Sequence, residues 1–236
     1  GEKIMEERTK PSGIKVLCIG LARRGGMLHF HDCLVEGLSS QCTVASLTAA
    51  AAEHSDRVAQ QTNVRHFFVD TGKGAIGTLS KLLAPDSWRA LERTIEVFSP
   101  DVAHVTGAQE WNPFLGAILK KRNIPTVYTV HDVIHHEGVP GYFRVTEAIF
   151  RKLPSGFVVL TGESKRQLAA QGVDETKIRV IPHGVYDFFR RTQSDEPDSQ
   201  GTNGTDAPTD DPKPKTILFF GRIEPYKGLP ILLDAF

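Results

Sequence analysis

The chain has 236 residues, 40% hydrophobic and 24% charged, which excludes a wholly disordered or fibrous protein. The 28 Lys and Arg balance 28 Asp and Glu, so there is no global electrostatic footprint for nucleic acid, and none is expected as a partner. Cys18, Cys33 and Cys42 form no CxxC pair and are odd in number. That speaks against a disulfide framework and for a reducing compartment. The opening GEKIMEERTKPSG lacks an apolar signal core, and the longest apolar runs fall short of the ~20 residues of a membrane span. A cytoplasmic chain is the expectation.

In chain order, IKVLCIGL (14–21) is a short apolar run with β-branched residues and reads as a strand. A glycine-bearing turn leads into MLHFHDCLVEGLSS (27–40), where Met27, Phe30, Leu34 and Leu38 recur at helical spacing and predict the buried face. CTVASLT (42–48) and VRHFFVD (64–70) are further strands, and TGKGAIGT after them reads as a flexible loop. SWRALERTIEVF (87–98) sets Trp88, Leu91, Ile95 and Phe98 on one helical face. DVAHVTG (101–107), IPTVYTVHD (124–132), GFVVLTG (156–162) and KIRVIPHG (177–184) read as strands. Helices at 112–122, 143–153 and 163–172 separate them. Strands this apolar, alternating with helices, predict parallel βαβ units covered on both faces: a Rossmann-like, doubly wound α/β domain of about seven strands over residues 14–190.

Composition then breaks. Residues 192–212 carry six acids, no base and almost no apolar side chain, so 191–214 is expected to be a mobile linker. KTILFFGRI (215–223) reads as a new strand and GLPILLDAF (228–236) as a helix, together the first βα unit of a second domain. One such unit cannot bury a core alone.

Several motifs could carry chemistry. Gly25 and Gly26 in GLARRGGML allow close backbone approach and precede a helix N-terminus suited to an anion, although their spacing fits neither GxGxxG nor a P-loop. Gly72, Gly74 and Gly77 do spell GxGxxG, but after the third strand and without the acidic residue that a dinucleotide site needs. In HDVIHHEG, His131 and His135 imitate a zinc helix; the flanking strand and Gly-Pro sequence argue against one, and no metal is expected. What is left is His131 with Asp132 at the C-terminal end of a strand, where open α/β sheets place ligands. His183 and Gly184 in IPHG occupy a similar strand end. The sharpest signal is GRIEPYKG: Arg222 and Lys227 converge on a strand end and helix start, an arrangement suited to a diphosphate.

Taken together, VLCIGLARRGGMLHF, YTVHD with HHEG, VIPHGVYDFF and ILFFGRIEPYKGLPILLDAF resemble the retaining nucleotide-sugar glycosyltransferases of family 4, with the GT-B fold. The resemblance covers residues 14–190 and 215–236. It implies an acceptor-side domain over 14–190 and the start of a donor-binding domain over 215–236. The chain then reads as an N-terminal half, because the family's Glu-x7-Glu segment would lie beyond Phe236. By the same resemblance His131 is the catalytic histidine at the sugar, and Gly25, Gly26, Arg222 and Lys227 meet the donor diphosphate. Asp132, His183 and Gly184 would line the cleft. The implied partners are a nucleotide-sugar donor and a sugar, lipid-linked or other acceptor, with no cofactor besides that co-substrate. Peripheral contact with the inner membrane face, self-association and a separate C-terminal half are compatible with it. Competing readings are a non-catalytic acceptor-binding subunit of a split transferase, a nicotinamide-dependent oxidoreductase resting on GKGAIG, and a sugar-nucleotide epimerase of the same fold.

Overall fold

In a computed structural model of the chain, residues 12–53, 61–135, 139–184, 217–219 and 227–235 are described. Those up to 184 belong to one compact unit, and those beyond it to a second. The chain runs β1 (Ser12–Gly20), α1 (Gly26–Ser39), β2 (Cys42–Ala49), β3 (Val64–Val69), α2 (Gly74–Leu83), α3 (Pro85–Phe98) and β4 (Val102–Val105). It continues with α4 (Asn112–Lys121), β5 (Thr126–Val130), α5 (Gly141–Phe150), β6 (Gly156–Val159), α6 (Gly162–Ala170) and β7 (Ile178–Val180). In the second unit α7 spans Leu229–Ala235.

Seven strands form one sheet in the order β3-β2-β1-β4-β5-β6-β7, and every pairing is parallel. The expected doubly wound α/β fold is the observed one. Alternation along β1 shows how the strand serves two layers. Leu17 and Ile19 enter the larger core with Leu91, Ile95 and Phe98 of α3, Leu115 and Leu119 of α4, Phe150 of α5 and Leu168 of α6. Val16 and Cys18 point the other way, to Val35 of α1 and to Val44 and Val64. A strand apolar on both faces is what a parallel sheet between two helical layers requires.

Two expectations are corrected. The buried face of α1 is Leu28, His31, Asp32 and Val35, one position on from the Met27–Phe30–Leu34–Leu38 stripe. A histidine and an aspartate on the inner face hid it from an apolar count, and both are almost fully buried. The GKGAIG stretch is no loop from Gly74 onward but the first turns of α2. A Cβ on Gly72 would lie 2.0 Å from the Gly77 carbonyl oxygen, and Gly72 has φ +71°, so its lack of a side chain serves the tight entry into that helix. Trp88 Nε1 donates to Leu82 O at 2.8 Å and ties α2 to α3. Of the strand expected over 215–223, Ile217–Phe219 alone are described and lie in no assigned element; the other residues of that stretch are outside the described ones, as is the linker 191–214.

Candidate functional site

The strand order reverses between β1 and β4, with β2 and β3 on one side and β5 to β7 on the other. Connections leaving the C-terminal ends of two such strands diverge and open a crevice, which is where this class of sheet binds ligands. Three segments meet there: the glycine turn after β1, the Thr106–Gly107 turn after β4, and the His131–His135 loop after β5.

His131 is fixed at this crevice. Its Nε2 lies 2.9 Å from the Thr106 carbonyl oxygen, and a carbonyl only accepts, so Nε2 carries the proton and Nδ1 the lone pair. Burial pushes its pKa below the ordinary value, against the Thr106 carbonyl and Asp132, which favour the charged form; His183 adds to the lowering. The ring is neutral at pH 7. Phe30 of α1 stands edge-on to it at 4.7 Å between centroids and lies 5.6 Å from the ring of His183. The structure thus brings together His131 and His183, with Phe30 against both. His183 and Gly184 are exposed, and His183 Nδ1 donates to the Gly184 carbonyl at 2.8 Å. Asp132 is exposed beside His131.

The glycine turn approaches the same crevice. Gly25 caps α1 with φ +81°, a conformation that favours glycine, and no side chain caps the helix. No acidic residue stands in its first turn. A Cβ on Gly25 or Gly26 would meet nothing within 4 Å, so open space lies over both. Arg23 secures the turn from the side, donating through Nη2 to Thr71 O at 3.1 Å and Oγ1 at 3.0 Å. Met27 packs over Gly107, where an added Cβ would sit 2.1 Å from Met27 Cε. Among the described residues no group of three or more His, Cys, Asp or Glu could hold a metal ion.

Beneath the crevice lies a polar layer that sequence reasoning missed. His31 Nδ1 donates to Thr106 Oγ1 at 3.0 Å, which itself donates to Ile19 O at 3.2 Å; His31 Nε2 accepts from Ser46 Oγ at 2.8 Å. These contacts span 75, 87 and 15 residues of chain, so no local pattern announces them. His104 of β4 is hydrogen-bonded to Thr129 Oγ1 at 2.8 Å. Burial, and then the neighbouring His131, push its pKa down to about 4.

That shift gives a stability prediction. The folded pKa of His104 is depressed, so between about 4 and 6.5 the unfolded chain binds the extra proton and folding stability falls as pH drops. The loss is fully developed near the folded value and amounts to roughly 3 kcal/mol; His131 acts in the same direction. Urea unfolding at pH 7.5, 6.5 and 5.5 should show this decline above the range where carboxylates titrate. His104→Gln, which keeps a partner for Thr129, should flatten it. Equal stability at all three pH values in the parent chain would contradict the assignment.

Of the basic pair, Lys227 and Gly228 immediately precede α7 in the second unit, and Gly228 has φ +69°. Arg222 lies outside the described residues. No described helix is long and apolar enough to cross a membrane.

The family model described as Glycosyltransferase Family 4 matches residues 24–187. No curated protein matches the chain by sequence. Among solved structures, Anabaena HepE in complex with UDP and glucose aligns at TM-score 0.53 and 18% identity over 73% of this chain and 45% of its own. UDP-N-acetylglucosamine 2-epimerase from Rickettsia bellii aligns at TM-score 0.57 and 15% identity, over 78% and 48%. The Neisseria meningitidis UDP-GlcNAc 2-epimerase bound to UDP-GlcNAc aligns at 0.53 and 16%, over 71% and 45%. At these identities the likeness is one of fold, and the chain spans about half the length of these proteins.

Proposed function

The chain belongs to glycosyltransferase family 4, and on that premise we propose that it forms the acceptor-side domain, residues 14–190, and the start of the donor-side domain of an enzyme that transfers a sugar from a nucleotide-sugar donor with retention of configuration. The observation that carries the reading is a neutral His131, held through Nε2 on the Thr106 carbonyl at the strand-order reversal, beside an open glycine turn. A neutral imidazole there offers its Nδ1 lone pair to a sugar hydroxyl without adding a charge. Gly25 and Gly26 let donor phosphate oxygens approach backbone N–H groups. Asp132, His183 and Gly184 line the acceptor side. Arg222 and Lys227 neutralise the leaving diphosphate, the task a divalent metal performs elsewhere.

In the proposed step the bond from the anomeric carbon to the diphosphate oxygen breaks and the nucleoside diphosphate departs with the electron pair. The acceptor hydroxyl oxygen bonds to that carbon on the same face, and its proton passes to the departing phosphate oxygen. Configuration is therefore kept. The test is a panel of sugar nucleotides offered to a chain carrying both domains, with released nucleoside diphosphate and the anomeric proton of the product as readouts. One donor should be consumed faster in the presence of an acceptor, and the new glycosidic bond should keep the donor's anomeric form. The epimerase neighbours supply a second reading: acceptor-independent conversion of a sugar nucleotide to an isomer of equal mass would establish it instead. Silence across the panel would defeat both.

A further inference from the structure

The loop that carries His131 is held by one buried carboxylate from the neighbouring helix. Glu147 of α5 is 4% exposed. Its Oε1 accepts from the Tyr128 hydroxyl at 3.0 Å and from Arg151 Nη2 at 2.8 Å. Its Oε2 lies 2.5 Å from His135 Nε2. Tyr128 precedes His131 by three residues and His135 follows it by four, so the carboxylate grips the segment on both sides of the histidine. Arg151, paired with Glu147, also reaches the Val133 carbonyl at 3.4 Å, as does Gln171 Nε2 at 3.4 Å. Gln171 Oε1 in turn accepts from Arg151. Phe143 supports the His135 ring at 5.7 Å between centroids.

Packing fixes only part of this loop: Val133 is buried in the larger core, whereas Ile134 and His135 are less enclosed. Val133, Ile134 and His135 border a cavity of about 300 Å³ shared with Arg144 and Arg151, and Ile134 is largely exposed. The polar grip therefore adds to the anchor that Val133 supplies. A carboxylate buried this deeply is costly unless it is compensated; here the Tyr128 hydroxyl and the Arg151 guanidinium donate to Oε1, and the His135 ring lies against Oε2.

We propose that Glu147 is a positioning residue for the transfer reaction: through Tyr128, His135 and Arg151 it sets the His131 ring against the Thr106 carbonyl. This rests on the glycosyltransferase reading only for the consequence to turnover; the effect on His131 does not depend on it. A reacting group misplaced by about 1 Å can lose ~100-fold in rate, so kcat is the quantity exposed.

The test is carried out on the folded chain with Glu147→Gln and His135→Asn. The second variant leaves the Glu147–Arg151 pair intact and stays folded if the first does not, as a cooperative melt will show. Long-range ¹⁵N–¹H spectra of the imidazoles should report a single Nε2–H tautomer for His131 in the parent chain. In either folded variant the ring signals should broaden and shift toward mixed tautomers. In the two-domain enzyme kcat should fall roughly 10- to 100-fold while the KM for donor moves less than about twofold. An unchanged His131 spectrum in the folded variants overturns the proposal. A parent enzyme without transfer activity counts against the glycosyltransferase reading instead, because the spectra decide this one independently.

Discussion

Arg222→Ala and Lys227→Ala should each slow sugar transfer about 30- to 1000-fold in the two-domain enzyme, the equivalent of ~2–4 kcal/mol of transition-state stabilisation. The diphosphate carries its charge in the ground state, but the oxygen that leaves the anomeric carbon gains charge only as the bond breaks. A cation placed at that oxygen therefore binds the transition state more tightly than the donor, and its removal lowers kcat more than it weakens binding. Nucleoside binding should change less than turnover does. Arg222→Lys separates charge from geometry: it keeps the cation but loses the planar fork that grips two oxygens at once. An intermediate rate for that variant would match the assignment. Unchanged turnover in both alanine variants would refute it.

How much of this was legible in the sequence follows from the range of each interaction. The sheet was readable because β-branched apolar runs such as IKVLCIGL and IPTVYTVHD satisfy two helical layers at once, and that demand is local. His131 was readable because it ends such a run, and the ends of parallel strands are where ligands sit. The helix α2 was misread because Gly72, Gly74 and Gly77 signal a break, whereas Gly72 is needed so that the turn can close against the Gly77 carbonyl, and Gly74 enters the helix at φ +66°. The inner face of α1 was misplaced because His31 and Asp32 count as polar, and the burial of His31 is made tolerable only by its bonds to Thr106 and Ser46. Thr106 and Glu147 carried no signal, and Phe30 only that of a helical stripe: each acts on a residue brought close by the fold, and single-chain spacing is blind to that. Glu147 in particular reads as an ordinary exposed helix acid in FRVTEAIF until Tyr128, His135 and Arg151 are seen around it.

The largest stability loss should come from Gly20→Ala, the smallest change at the end of β1. An added Cβ would stand 2.3 Å from His31 Nδ1, 2.5 Å from its Cγ and 2.8 Å from Thr106 Oγ1. A flexible side chain would swing away from such a contact, and Gly107→Ala, whose one close clash is with the tip of Met27, should cost little for that reason. His31 has no such freedom, because its two ring nitrogens are bonded to Thr106 and Ser46 in an almost fully buried site. Moving the ring leaves buried polar atoms unpaired, and leaving it in place forces the strands apart. Either route costs about 2–4 kcal/mol. Urea unfolding of Gly20→Ala should register that loss, and His31→Ala in the same chain should recover part of it by vacating the space, a coupling that two independent sites would not show. The site should respond as well: Thr106 is the residue pushed, and its carbonyl is what holds His131, so the Nε2–H signal of His131 should move in Gly20→Ala. Parent-like stability in Gly20→Ala would mean that the His31 layer can rearrange without cost, and the account of how the sheet seats His131 would fail with it.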